Sequence, residues 1–175
     1  MKTIDKNQRG KDSRLKTHDS PRIGFGLDIH PFKTGRPLVL GGVNVPCQKG
    51  LQGHSDADVL VHAVMDALLG SAGLGDIGIH FPGGDPKYKN ISSLLLLKKV
   101  EVLIKKKGFS IQNIDSTLTI EEPKISHLIP NMRKKISSIL SLSPDQVNIK
   151  ATRAEGLGFV GRVEGVCAYA VCLLC

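Results

Sequence analysis

The stretch Arg22–Phe32 alternates, so Ile23, Phe25, Leu27 and Ile29 fall on one side of a predicted strand. Its other side carries Gly24, Gly26, Asp28 and His30. Glycine weakens a strand unless something approaches its backbone closely. Short apolar runs at Leu38–Leu40 and Val43–Val45, joined by Gly41-Gly42, predict a hairpin. A helical pattern begins at Gly53-His54-Ser55, with Leu60, Val64, Ala67 and Leu68 as its buried stripe. Ser55 is the expected N-cap, with Asp58 three residues on in the manner of a capping box. Glycines and prolines then predict a long loop through residues 71–86.

Ser92–Lys107 reads as a second helix, closed by lysines and Gly108. Ile114–Glu121 alternates as a strand, and Pro130–Leu140 reads as a helix entered at a proline. Val147–Thr152 and Val163–Leu174 complete the strands. Interleaved strands and helices predict an α/β fold, with helices packed on one face of a roughly four-stranded mixed sheet.

The 175 residues suit one domain, residues 21–175, behind a basic extension over residues 1–20. That extension holds six Lys and Arg against three Asp, is almost free of apolar residues and is expected to be disordered. It lacks the apolar core of a secretory signal, and its aspartates argue against a transit peptide, so a bacterial cytoplasm is expected rather than a plastid. The longest apolar runs are too short to span a membrane. Cys172 and Cys175 form a C-x-x-C at the chain end, with no second pair to complete a zinc ribbon. Cys47 and Cys167 read as small apolar residues, and nothing indicates a disulfide scaffold.

Asp28 and His30 share one face of a rigid strand, as half of a metal site does. The other half is sought on the first helix, where His54, Asp58, His62 and Asp66 recur at every fourth position. A polar helix face is ordinarily just solvated. Combined with Asp-x-His, however, one histidine gives three mixed N/O ligands with a fourth position open, as catalytic zinc requires. His62 is the choice, lying mid-helix, with Asp58 or Asp66 one turn away to orient its imidazole. His54 sits in a loop that can reach a substrate.

A second cluster lies in Lys150–Gly165, K-A-T-R-A-E-G-L-G-F-V-G-R-V-E-G. Gly156, Gly158 and Gly161 match G-x-G-x-x-G, but no predicted helix follows and too little chain remains for a dinucleotide site. Thr152, Arg153 and backbone N–H groups suit phosphate oxygens, and Glu155 suits a hard divalent cation that phosphates also bridge. Arg162 and Glu164 read equally well as an ion pair.

Four separated motifs, R-x-G-x-G-x-D-x-H, H-S-D-A-D-V-x-x-H-A-x-x-D-A-L-L-G, G-D-I-G-x-x-F-P and K-A-T-x-x-E-x-L-G-F-x-G-R-x-E-G, follow one another between Arg22 and Leu174. In order and spacing they resemble the 2-C-methyl-D-erythritol 2,4-cyclodiphosphate synthases. The resemblance implies a homotrimer with active sites between subunits, and zinc on Asp28, His30 and His62. It implies Mg²⁺ or Mn²⁺ held by Glu155 with the substrate diphosphate. Asp76, Ile77 and Gly78 match positions that contact substrate hydroxyls, with Phe81 and Asp85 beyond them. His54 and Ser55 match a mobile loop over the phosphates, with His54 a catalytic candidate, and Pro123, Lys124 and Ser126 match a cytosine pocket. Thr152, Arg153, Phe159 and Arg162 complete the implied substrate contacts, Arg153 with a catalytic role. Arg162 and Glu164 would lie near the trimer axis, where an isoprenoid phosphate can bind.

The implied reaction closes a cyclic diphosphate by attack of a 2-phosphate on the β-phosphorus of a cytidine diphosphate, expelling CMP. Such chemistry asks for positioning and charge screening more than covalent help. On this reading the glycines beside Asp28 make room for a phosphate oxygen. Three positions, in two places, depart from the family. Arg153 and Ala154 stand where consecutive threonines are usual, and Gly83 stands where an Asp is common. Two other classes compete. A metal-dependent phosphoesterase with His54 as general base would release inorganic phosphate instead of CMP. An RNA-binding module is favoured by the net charge of +8, but the lysine runs fit solvated helix faces and stacking aromatics are scarce.

Overall fold

The computed structural model describes residues 20–175. The expectation for the basic extension therefore lies, apart from Ser20, outside the described residues. The chain runs β1 (Arg22–Thr34), β2 (Leu38–Leu40), β3 (Val43–Val45), β4 (Lys49–Leu51), α1 (Val59–Ser71), α2 (Ile77–His80), α3 (Ser93–Lys106), β5 (Ile111–Thr119), α4 (Ile129–Leu140), β6 (Val147–Thr152), α5 (Gly158–Gly161) and β7 (Gly165–Leu174). The main sheet has five strands in the order β4-β1-β7-β5-β6, and β2-β3 form a separate hairpin. All its pairings are antiparallel except β5-β6, so the sheet is mixed. The fifth strand, β4, was not expected: three residues around a glycine carry no alternation, and they pair only with the far end of β1.

The predicted long loop holds the one-turn helix α2, and α5 falls inside the glycine cluster. α1 begins at Val59, later than expected, and its N-cap is Asp58 rather than Ser55. Asp58 outcompetes Ser55 because one carboxylate serves three donors. It accepts the Val61 N–H at 3.2 Å, the Gly41 N–H at 2.9 Å and the Gly42 N–H at 2.6 Å, so it also closes the β2-β3 turn. Burial pushes its carboxyl up to about 6, against the opposing pull of those N–H groups. Ser55 Oγ instead accepts the Ala57 N–H at 3.1 Å.

The four predicted stripe residues of α1 are buried, but so are Val61, Ala63, Met65 and Leu69. α1 packs on β1 and β7 with one side and on α3 with another, so it is apolar almost all round. Its closeness to the sheet answers the glycine question. A Cβ added at Gly24 would stand 1.9 Å from the Ala67 carbonyl oxygen, and one at Gly26 2.0 Å from that of Ala63. These glycines admit the helix backbone; they are not the phosphate-sized gap the sequence suggested.

The opposite sheet face is bare in the single chain. Ile23 is 74% exposed and Phe25 62%, with Leu27, Ile29, Tyr169 and Val171 also open. Gly26→Ala should force α1 away from β1 and cost about 3 kcal/mol or more, against 1–3 for ordinary overpacking. Chemical denaturation reads this directly, and an unchanged midpoint would show that the helix can shift freely.

Candidate metal centre

The metal-ligating residues meet because strand and helix repeats nearly match. Two strand residues advance about 6.8 Å and four helical residues about 6 Å. Gly24 faces Ala67 and Gly26 faces Ala63. The next steps along the same lines bring Asp28 and His30 beside the first turns of α1, where His62 lies. Asp28 Oδ2 is 2.9 Å from His30 Nε2 and 3.0 Å from His62 Nδ1. The two imidazole nitrogens are 3.2 Å apart.

The three ligand atoms all lie within 4.8 Å of one another, the one such cluster among the described residues. One carboxylate and two imidazoles converging on a point fit a divalent cation with a position left open to the adjoining cavity. Burial alone would raise the Asp28 carboxyl, but hydrogen bonds from His30 and His62 outweigh it and hold it far below the usual range. Burial would likewise lower His30, and Asp28 outweighs that, raising its proton affinity.

Each imidazole also has an outward nitrogen. His30 Nδ1 donates to the Gln52 carbonyl at 2.6 Å. His62 Nε2 lies 3.0 Å from Ser93 Oγ and 3.2 Å from Ser55 Oγ. Neither Asp58 nor Asp66 orients His62 as expected. Asp58 is spent on backbone donors, and Asp66 Oδ1 accepts the Ile77 N–H at 2.8 Å, which places α2. Arg36 was also missed: it donates to the carbonyls of Gly53 at 2.9 Å and Ser55 at 2.5 Å, holding the loop that carries His54. Gln52 and Arg36 act through backbone carbonyls and Ser93 sits on another helix, so none carried a motif signal.

A cavity of about 240 Å³ opens beside the ligands, lined in part by Asp28, His30, His54, Ser55, His62, Ile77, Gly78, Phe81 and Gly83. A side chain at Gly83 would meet open space there. Asp76 Oδ1 accepts the Ile79 N–H at 3.0 Å and caps α2 at the rim. The Asp85 carbonyl accepts from His54 Nε2 at 2.8 Å, while its carboxylate pairs with Lys87.

A separate hollow of about 360 Å³ gathers Pro123, Lys124, Ser126, Thr152 and Arg153. Glu155, Phe159 and Arg162 line neither hollow. Glu155 sits in a turn at φ 53°, and Arg162 forms the anticipated pair with Glu164, at 2.8 and 3.0 Å. One chain does not unite the two hollows. Ile29 pairs with Cys167, Cys167 with Thr119 and Thr119 with Thr152, so all four share the bare sheet face. Asp28 and His30 serve the helix-covered side, and Thr152 lies three strand spacings, about 14 Å, along the sheet from Ile29.

Fold and site define an α/β protein with an Asp-His-His cluster that fits a divalent cation. Residues 21–175 match the YgbB family model, and the chain belongs to that family. A 2-C-methyl-D-erythritol 2,4-cyclodiphosphate synthase of Clostridium kluyveri is 60% identical over 153 residues, 87% of this chain and 93% of its own length. Its counterpart in Clostridium botulinum is 58% identical, over 87% and 99%. Among solved structures, the bifunctional IspDF from Campylobacter jejuni matches with a TM-score of 0.86 at 41% identity, covering 89% of this chain and 42% of that one. The CDP complex of Plasmodium falciparum IspF matches with a TM-score of 0.79 at 34% identity, covering 90% and 97%.

Metal binding should release protons. Asp28 raises the affinity of His30 for a proton that a metal must displace, so metal affinity rises with pH until His30 is neutral and then levels off. Calorimetry in buffers of differing ionisation heat measures this between about pH 6 and 8. A flat affinity, or full metal uptake by His62→Ala, would contradict the assignment.

Proposed function

We propose that the chain converts 4-diphosphocytidyl-2-C-methyl-D-erythritol 2-phosphate to 2-C-methyl-D-erythritol 2,4-cyclodiphosphate and CMP, a step toward isoprenoid precursors made without mevalonate. The convergence of Asp28, His30 and His62 beside a cavity, on a chain 60% identical to a synthase of that name, carries this reading. An oxygen of the 2-phosphate attacks the β-phosphorus, and the bond from that phosphorus to the bridging oxygen breaks with its electron pair leaving on CMP. Water does not enter, which makes the enzyme a phosphorus–oxygen lyase.

Both reacting groups are anionic, so the protein must screen their repulsion and fix their geometry. Asp28, His30 and His62 would hold zinc and Glu155 would help hold Mg²⁺ or Mn²⁺, and these ions would supply Lewis acidity toward the phosphoryl oxygens. The three ligands would hold one cation at the cavity wall. His54 and Ser55 sit in the Arg36-held loop beside it, placed to close over the phosphates. The Ile77 and Gly78 backbone and the Asp76 carboxylate offer partners to the sugar-like hydroxyls. Pro123, Lys124 and Ser126 form a base-sized hollow, and Lys124 and Arg153 add positive charge beside the CMP phosphate. Arg153 reaches further than the family threonine and brings charge where that residue brings a hydroxyl.

The separation of the two hollows supports active sites shared between subunits of a homotrimer. The bare apolar face of β1 and β7 is a surface such a trimer would bury. Phe159 and Arg162 lie just before the start of β7, where three copies would gather around an isoprenoid phosphate. Among the described residues no helix is long and apolar enough to cross a membrane. Four free cysteines fit a reducing cytoplasm.

Metal-stripped protein should release no CMP from the substrate, and zinc with magnesium should restore CMP together with the cyclic diphosphate. Inorganic phosphate in place of CMP would favour a phosphoesterase, and no product from loaded, folded protein would overturn the reading. His62→Ala and Glu155→Ala should each be inactive alone. Co-refolded in equal amounts they should regain about a quarter of wild-type activity, because a quarter of random subunit interfaces pair two intact halves. No recovery from mixed oligomers would place each site within one chain.

A further inference from the structure

The metal ligands His30 and His62 each turn one nitrogen toward the shared point and one away, and the outward contacts differ in kind. His30 Nδ1 faces a carbonyl, which can only accept, so the neutral ring keeps its one proton outward and leaves Nε2 bare for a cation. His62 Nε2 faces the hydroxyls of Ser93 and Ser55, and a hydroxyl can donate as well as accept. A hydroxyl that donated to Nε2 would leave the ring proton on Nδ1, the atom turned to the metal. Some further group must therefore direct the hydroxyl proton elsewhere.

Asp56 is that group. Its Oδ1 accepts from Ser93 Oγ at 2.5 Å, and its Oδ2 accepts the Ser93 backbone N–H at 2.9 Å. A carboxylate only accepts, so the Ser93 proton points to Asp56 and a Ser93 lone pair faces Nε2–H. Ser93 is fully buried at the start of α3, out of reach of competing water. The same loop is stitched to this helix entrance by the Asp56 N–H on the Ile91 carbonyl at 3.0 Å and the Asn90 N–H on the His54 carbonyl at 2.8 Å.

We infer that Ser93 and Asp56 are positioning residues of the metal centre: the chain Asp56–Ser93–His62 fixes the imidazole tautomer that leaves Nδ1 free to bind, and joins it to the loop bearing His54. The inference rests on the metal reading above and not on the identity of the substrate. Removing the Ser93 hydroxyl leaves Ser55, which can donate into Nε2 as readily as it accepts, so the tautomer is no longer imposed.

The test is zinc affinity of the full chain without substrate, by competition with a chelating chromophore. Ser93→Ala should bind zinc about 10–100-fold more weakly, the usual cost of losing an outer partner of a metal-bound histidine. Ser93→Thr keeps the hydroxyl and should bind within about threefold of wild type. In the cobalt-loaded form, Ser93→Ala should shift the visible absorption bands while Ser93→Thr preserves them. If the threonine does not fold, Asp56→Asn replaces it: its amide sets an N–H against one Ser93 donor, and affinity should fall by about tenfold or more. Unchanged affinity in Ser93→Ala or Asp56→Asn, or equal loss in the alanine and threonine variants, would overturn the inference. Wild-type protein that takes up no zinc would overturn the metal reading beneath it.

Discussion

The backbone-to-backbone approach of α1 to β1 sets the geometry of everything else. Side chains normally hold a helix about 10 Å from a sheet. Here Gly24 and Gly26 remove them, and the helix carbonyls of Ala67 and Ala63 come down onto the strand. That approach places His62 within 3.2 Å of strand-borne His30. A helix lifted by the thickness of one methyl group would pull the imidazoles apart beyond the span of a single cation. The glycines shape the Asp-His-His cluster at a distance, by fixing a helix.

Around that contact, buried polar groups act mainly as connectors. Asp58 joins the start of α1 to the β2-β3 turn, Asp66 joins α1 to α2, and Asp56 joins the His54 loop to α3. Each carboxylate accepts backbone donors that would otherwise be buried unpaired, which is costly. Two of these links tie α1 to its surroundings, and the third ties the His54 loop to α3. The inward atoms of Asp28, His30 and His62 contact one another and no backbone group, an arrangement that suits a divalent cation.

Two faces of one sheet carry two kinds of chemistry. The helix side holds the ligands, and the open side holds a row of large apolar residues with Thr152 at its end. Strand alternation makes this unavoidable, since neighbours on one strand point oppositely. Apolar side chains at 74% and 62% exposure make the open face a surface suited to burial against another protein surface.

The sequence by itself determined the α/β class, most element positions and the three residues that converge as candidate ligands, because these rest on local period and residue chemistry. Asp28 and His30 follow from alternation, and His62 from a rigid helix that faces them. It also singled out Gly24 and Gly26 as anomalous without saying why, since the partner that needs the space lies about forty residues away. What only the tertiary structure decided are choices between chemically equal candidates. Asp58 displaced Ser55 as cap because the β2-β3 turn brought it two further donors. Asp66 was drawn to α2, and the imidazole support passed to Ser93 and Asp56. Such choices depend on which donors arrive when distant segments fold together. Spacing along the chain cannot encode that.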